Sequence, residues 1–293
     1  MTIIDAHHHI WRRADLPWLL GPTQPRIFGE YDAIKRDYLI DEFRKDVSGT
    51  GVTGSVYVQA NWSPNWFEDE VAWVSRVADE SGWPMAISAF CDMTQDDARP
   101  HLTRLAAWPR VRGIRHQMHW HHNPLYRFAP TPDRVAHPAV MQNVAALAEY
   151  GFLFELQVFA GQIEPALELV SACPDTTFVL QHALMLQDTS EEGRAAWAAA
   201  LQRLAAHSNV ACKLSGLGTF ARRLDPPLVD DIVKTAIDAF GPSRCLYGSN
   251  FPIEKLWTPY APLFAAYRAS IERHAGDEAD AVFAGTAKRL YRL

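Results

Sequence analysis

The chain has 293 residues, 48% hydrophobic and 21% charged. That balance belongs to an ordinary globular protein and excludes a disordered chain. Its 28 Lys+Arg against 34 Asp+Glu give a formal net charge of −6 at pH 7, and no basic run exceeds two residues, so nucleic acid is not an expected partner. No stretch approaches the roughly 20 apolar residues that span a bilayer, so no membrane partner is expected either.

The start, Met1-Thr2-Ile3-Ile4-Asp5, shows neither the basic nor the apolar region of a signal peptide. The four cysteines, Cys91, Cys173, Cys212 and Cys245, have no CxxC spacing. Buried thiols in a reducing, cytoplasmic setting are the expectation.

Eight short β-rich runs follow one another along the chain: Ile3–His9, Gly54–Ala60, Met85–Cys91, Val111–Gln117, Phe152–Phe159, Thr177–His182, Val210–Ser215 and Arg244–Asn250. Runs such as Ser55-Val56-Tyr57-Val58 are nearly continuous in apolar residues, as parallel strands buried on both faces are. Helical periodicity fills the intervals, for example Phe67, Val71, Val74 and Val77. Pro138, Pro165 and Pro227 stand early in helical segments, and Gly82 and Gly151 at their ends. The reading is an α/β fold, a single (β/α)8 TIM-type barrel domain over residues 1–293. A doubly wound open sheet would bring a Gly-rich phosphate loop after the first strand, and none is present.

Two connections are long, residues 11–37 after the first strand and 118–137 after the fourth. Both are rich in aromatics and proline, and both follow strand C-termini, where barrel active sites are built. They are expected over the C-terminal face, as binding loops or as a packed closure of the barrel top.

The chemistry-bearing residues sit at the same strand ends. On the first strand His7 and His9, two apart, share a face while His8 points away. His182 ends the sixth run. Three such imidazoles meeting at the barrel axis make a site with an open position, suited to one catalytic Zn²⁺. Arg115 on the fourth run and Lys213 on the seventh are candidate anion holders. Glu155 and Lys213 can equally pair with each other, since a charge inside a barrel needs a partner. Gln59, which shares a strand face with Tyr57 and Asn61, is a candidate substrate contact or a barrel-interior residue satisfied by its neighbours; Trp62 after Asn61 is a candidate pocket-lining substrate contact, with core or rim packing as its default reading. The cluster His116, His119, His121 and His122 falls in loop and does not share one face, so it is read as structural or substrate-loop histidine, with His119 a substrate contact.

Taken together, Asp5-Ala6-His7-His8-His9-Ile10-Trp11, Arg112-Gly113-Ile114-Arg115, Glu155-Leu156-Gln157, His182, Lys213-Leu214-Ser215-Gly216 and Gly248-Ser249-Asn250-Phe251-Pro252 resemble the amidohydrolase superfamily. The branch they resemble includes sugar-lactone and sulfomuconolactone lactonases. The resemblance implies that His7 and His9 are a metal pair and that His182 touches the metal or polarises the scissile carbonyl. It also implies that position 250 is where the family's strand-eight Asp takes the proton from the attacking water. Here that residue is Asn250, and an amide is no general base. Glu155 is the nearest substitute.

Loss of the acid–base group favours substrates whose leaving group needs no proton, so lactone opening is expected over amide cleavage. The expected substrate is a small molecule, anionic or sugar-like. Metal-independent activity is open within the resemblance, as is a monomer or a homodimer. The competing expectations are a non-oxidative decarboxylase on the same barrel and a catalytically impaired barrel that only binds a small acid.

Overall fold

The computed structural model describes residues 2–293; Met1, with which the start read above begins, lies outside them. Eight strands appear where the sequence places them: β1 Ile3–His8, β2 Val52–Val58, β3 Ala86–Ala89, β4 Val111–Ile114, β5 Leu153–Leu156, β6 Phe178–Leu180, β7 Val210–Leu214 and β8 Cys245–Tyr247. They pair in parallel and in sequential order. A bridge between His8 and Phe251 joins the last strand's end to the first, with His9 N donating to Phe251 O at 2.7 Å and Asn250 N to His7 O at 2.7 Å. Most strands are shorter than the apolar runs, because the residues at their C-terminal ends leave the ladder to face the barrel mouth.

The helices are α1 Pro17–Leu20, α2 Ile40–Asp46, α3 Phe67–Ser81, α4 Arg99–Ala106, α5 Pro138–Ala146, α6 Ile163–Ala172, α7 Glu191–Ala205, α8 Pro226–Phe240, α9 Tyr260–Ala275 and α10 Thr286–Tyr291. None is long and apolar enough to cross a membrane, among the described residues. The larger core lies between strands and helices, for example Tyr57, Ile87 and Phe178 with Val71, Leu102 and Leu169. The smaller one fills the ring itself: Ile4, Ala6, Val56, Ala86, Leu153, Val179, Ala211 and Leu246, together with Ala284, Ala287 and Tyr291 from the C-terminal segment. At β4 the place is held by Gly113, because a Cβ there would stand 2.6 Å from Leu153 Cδ1 and 2.7 Å from Ser88 Oγ.

Residues 11–37 are not structureless. Their base is pinned by the antiparallel bridge Trp11–Tyr38, and their apolar side chains pack: Trp18 lies 5.6 Å from Tyr31 and 6.2 Å from Phe28, centroid to centroid.

Candidate active site

A cavity of about 240 Å³ opens among the strand ends. Its floor is made by His9, Arg115, His182 and Asn250, and its upper wall by Arg26 and Phe28 from residues 11–37 and by His119, Arg127 and Phe128 from residues 118–137. Among the described residues, three arginines line it and no Asp or Glu does.

The pairing register shifts between Asp5 and His8. His8 turns outward and stacks on Phe43 with ring centroids 4.0 Å apart, while His7 and His9 approach each other at 5.1 Å. His182 reaches the same place by a different device. The four residues His182–Met185 all have positive φ, a left-handed turn that costs about 1–2 kcal/mol per residue. This turn brings the His182 ring to 4.8 Å from His7. Gly216 makes room, since a Cβ there would lie 2.6 Å from His182 Nδ1.

Hydrogen bonds fix two of the three tautomers. His9 Nδ1 lies 2.7 Å from Val58 O, and a carbonyl only accepts, so the proton is on Nδ1 and the lone pair on Nε2. His182 Nδ1 stands 3.2 Å from Ser215 O and 2.9 Å from Ser215 Oγ, with the same consequence. His7 is fully buried with neither ring nitrogen bonded. Burial, then the neighbouring His182, holds the His7 pKa well below the usual imidazole value; burial, then Arg115, does the same for His9. Burial also pushes His182 and His119 down to about 3. All four imidazoles are therefore neutral near pH 7, the form that binds metal.

Among the described residues, no three His, Cys, Asp or Glu side chains form a ready-made metal cluster. The donor chemistry nonetheless fits a divalent ion. Two imidazoles have Nδ1–H held by backbone carbonyls, the outer-shell arrangement of metal-ligating histidine. The third has two orphaned nitrogens that need a partner. Two imidazoles on one tetrahedral ion place their ring centroids about 5 Å apart, and both approaches to His7 meet this.

Arg115 is only 3% exposed, and among the described residues no carboxylate lies within ion-pair distance of it. One terminal nitrogen donates to Gln59 O, and its Nε has no partner. Burial lowers its pKa to about 10, against the raising influence of Glu155 and Glu70, so it remains charged.

Other expected residues fall elsewhere. Lys213 and Glu155 face the barrel axis but lie off the cavity wall, where Lys213 Nζ meets Glu155 Oε1 at 2.8 Å and Oε2 at 2.7 Å. Tyr291 OH, Ser88 Oγ and Gln181 Nε2 complete the carboxylate's shell. The expected substrate holder and the expected substitute base are thus spent on each other. Gln59 stands behind the wall, its Oε1 accepting from Asn61 N at 2.6 Å. Trp62 packs on Trp73 at 5.9 Å with Arg12 over its ring, also off the wall. His119 does line the cavity, flanked by Phe128 at 5.0 Å and Phe159 at 5.8 Å. Sequence reasoning passed over Arg26, Thr219 and Phe220, which stand in loops with no periodic signal.

The profile described as amidohydrolase matches residues 4–293. An uncharacterised protein of Sinorhizobium fredii is 32% identical over 298 residues, spanning 100% of this chain and 99% of the relative. A protein of Burkholderia multivorans named L-fucono-1,5-lactonase is 31% identical over 307 residues, 99% of this chain and 96% of that one. A crystal structure of an amidohydrolase from Burkholderia multivorans with bound zinc superposes with a TM-score of 0.83 at 28% identity, covering both chains completely.

Proposed function

We propose that this chain, which belongs to the amidohydrolase family, hydrolyses the ring ester of a small lactone carrying an anionic group. The observation that carries the reading is the cavity wall: an amide at Asn250, three arginines and no carboxyl group. An amide bond is cleaved only if its nitrogen is protonated as it leaves, and the wall offers no acid for that. A lactone oxygen leaves as an alkoxide or enolate and makes the smaller demand. The relatives named L-fucono-1,5-lactonase support ring opening.

His7, His9 and His182 are the residues that would hold one divalent ion, zinc by the likeness to the zinc-bound neighbour. Such an ion supplies Lewis acidity, polarising a carbonyl and acidifying water. The chain's own groups do the rest. Val58 O and Ser215 O keep the His9 and His182 protons on Nδ1, so their lone pairs face inward. Asn250 hydrogen-bonds the attacking water without taking its proton. Arg115, charged and lacking a counter-ion, receives the substrate's anionic group, which repays part of the cost of burying it. Neutral His119 offers a hydrogen bond from the upper wall. Matched lactone and amide panels test the reading: lactone turnover is expected, and amide turnover with silent lactones overturns it.

A further inference from the structure

Glu70 stands in the first turn of α3, 2% exposed, and reaches back to the strand before it. Its Oε1 accepts from Ala60 N at 2.7 Å and from Tyr57 OH at 2.7 Å. A backbone N–H only donates, so Oε1 accepts from Ala60 whether or not the carboxyl is ionised. Three successive carbonyls at this end of β2 serve the cavity. Val58 O takes His9 Nδ1 at 2.7 Å, Gln59 O takes a terminal nitrogen of Arg115, and Ala60 O takes Trp18 Nε1 at 3.0 Å. His9, Arg115 and Trp18 all line the cavity. The chain then turns at Asn61, φ +61°, with Asn61 N donating to Gln59 Oε1 at 2.6 Å.

The middle carbonyl and the N–H held by Glu70 belong to one peptide unit. Gln59 C=O and Ala60 N–H lie in a single plane and point to opposite sides of it. Carboxyl, peptide and guanidinium therefore form a relay: Glu70 Oε1 fixes the N–H, and the same plane fixes the oxygen that Arg115 meets. Gln59 O is the guanidinium's one hydrogen-bond acceptor among the described residues, and Arg115 Nε has no partner. We infer that Glu70 is a positioning residue for Arg115, acting through the Gln59–Ala60 peptide. With an apolar side chain at position 70, Ala60 N–H is left buried and unbonded. The peptide then turns towards another acceptor and takes Gln59 O away from Arg115.

The effect on turnover rests on the proposed role of Arg115 in receiving the substrate's anionic group; the placement of its guanidinium does not. The readout is the preference for a carboxylate-bearing over a neutral lactone, the ratio of their kcat/KM values. Glu70→Leu is expected to lower this ratio about five-fold. Glu70→Gln removes the charge but keeps an acceptor for Ala60 N, and is expected to hold the ratio within about two-fold. In the Arg115→Gln background, Glu70→Leu is expected to change the ratio no further. The inference is overturned by a ratio that survives Glu70→Leu, as a general loosening of the fold would leave it. It is also overturned by an equal fall in Glu70→Gln, or by the same fall with Arg115 already replaced. Glu70→Asp, whose carboxyl ends one methylene short of Ala60 N, takes the place of Glu70→Leu if that protein does not fold. Should Arg115→Gln leave the ratio intact, or the wild type open neither lactone, the proposed function fails instead. Crystal structures then decide this inference alone. The bond from Arg115 to Gln59 O is expected to be lost in Glu70→Leu or Glu70→Asp and kept in Glu70→Gln, and a bond kept in all of them overturns it.

Discussion

Lys213 Nζ stands 2.7 and 2.8 Å from the two carboxylate oxygens of Glu155, both side chains fully buried inside the barrel. Tyr291 OH of α10 bonds to both partners. Removing one partner leaves the other charge buried and unpaired. Lys213→Ala or Glu155→Ala is expected to cost about 3–5 kcal/mol of stability, read as a large fall in Tm. A Glu155→Ala protein that melts like wild type but has lost its activity would return Glu155 to a catalytic role.

Arg115 is the complementary case, a buried charge with no carboxylate within ion-pair distance among the described residues. Arg115→Gln is expected to raise KM for a carboxylate-bearing lactone at least ten-fold, which is about 1.4 kcal/mol, and to affect a neutral lactone much less. Its Tm should change little, because the lost bond to Gln59 O is offset by the removed cost of burying the charge. Equal losses on the anionic and the neutral lactone would show that Arg115 does not read charge.

Glu70 links stability to pH. Burial raises its pKa from 4.5 to about 7, with Ala60 N and Tyr57 OH donating to it. The folded state keeps this proton up to about pH 7, whereas the unfolded chain releases it from 4.5. The folded state therefore loses stability as pH rises through that window, by up to about 1.4 kcal/mol per pH unit. Glu70→Gln cannot ionise, so its Tm relative to wild type should climb from pH 4.5 to 7 and then level. A flat difference across the window contradicts the assignment.

His8, between the two inward imidazoles, stacks on Phe43 at an interplanar angle of 7°, and neither of its nitrogens is bonded. His8→Phe keeps the stack and removes two unsatisfied polar atoms. A higher Tm is expected, with turnover and metal content unchanged. Loss of metal in this variant would mean that the outward ring, too, serves the site.

Strand parity carried much of the sequence reading, and its failures have one cause. Parity tells which face a residue takes but not its height along the barrel axis. Lys213 and Glu155 have the inward parity of Ala211 and Leu153, yet they meet each other off the cavity wall, while Arg115 on β4's end reaches it. His7 and His9 were legible as a pair because a spacing of two survives the register shift after Asp5. His182 was legible as a residue type at a strand end, but its left-handed turn was not, since no glycine marks it. Trp62 looked like a wall residue from its place after Asn61, and packing on Trp73 took it elsewhere. Arg26 was invisible because loop contacts made over long range leave no periodic trace.

Metal content of protein purified without chelator, alongside His7→Ala, tests the central claim most directly. The account predicts about one equivalent of divalent ion per wild-type chain, lost together with lactone turnover in His7→Ala. Full turnover by wild-type chains that hold less than about a tenth of an equivalent would contradict it.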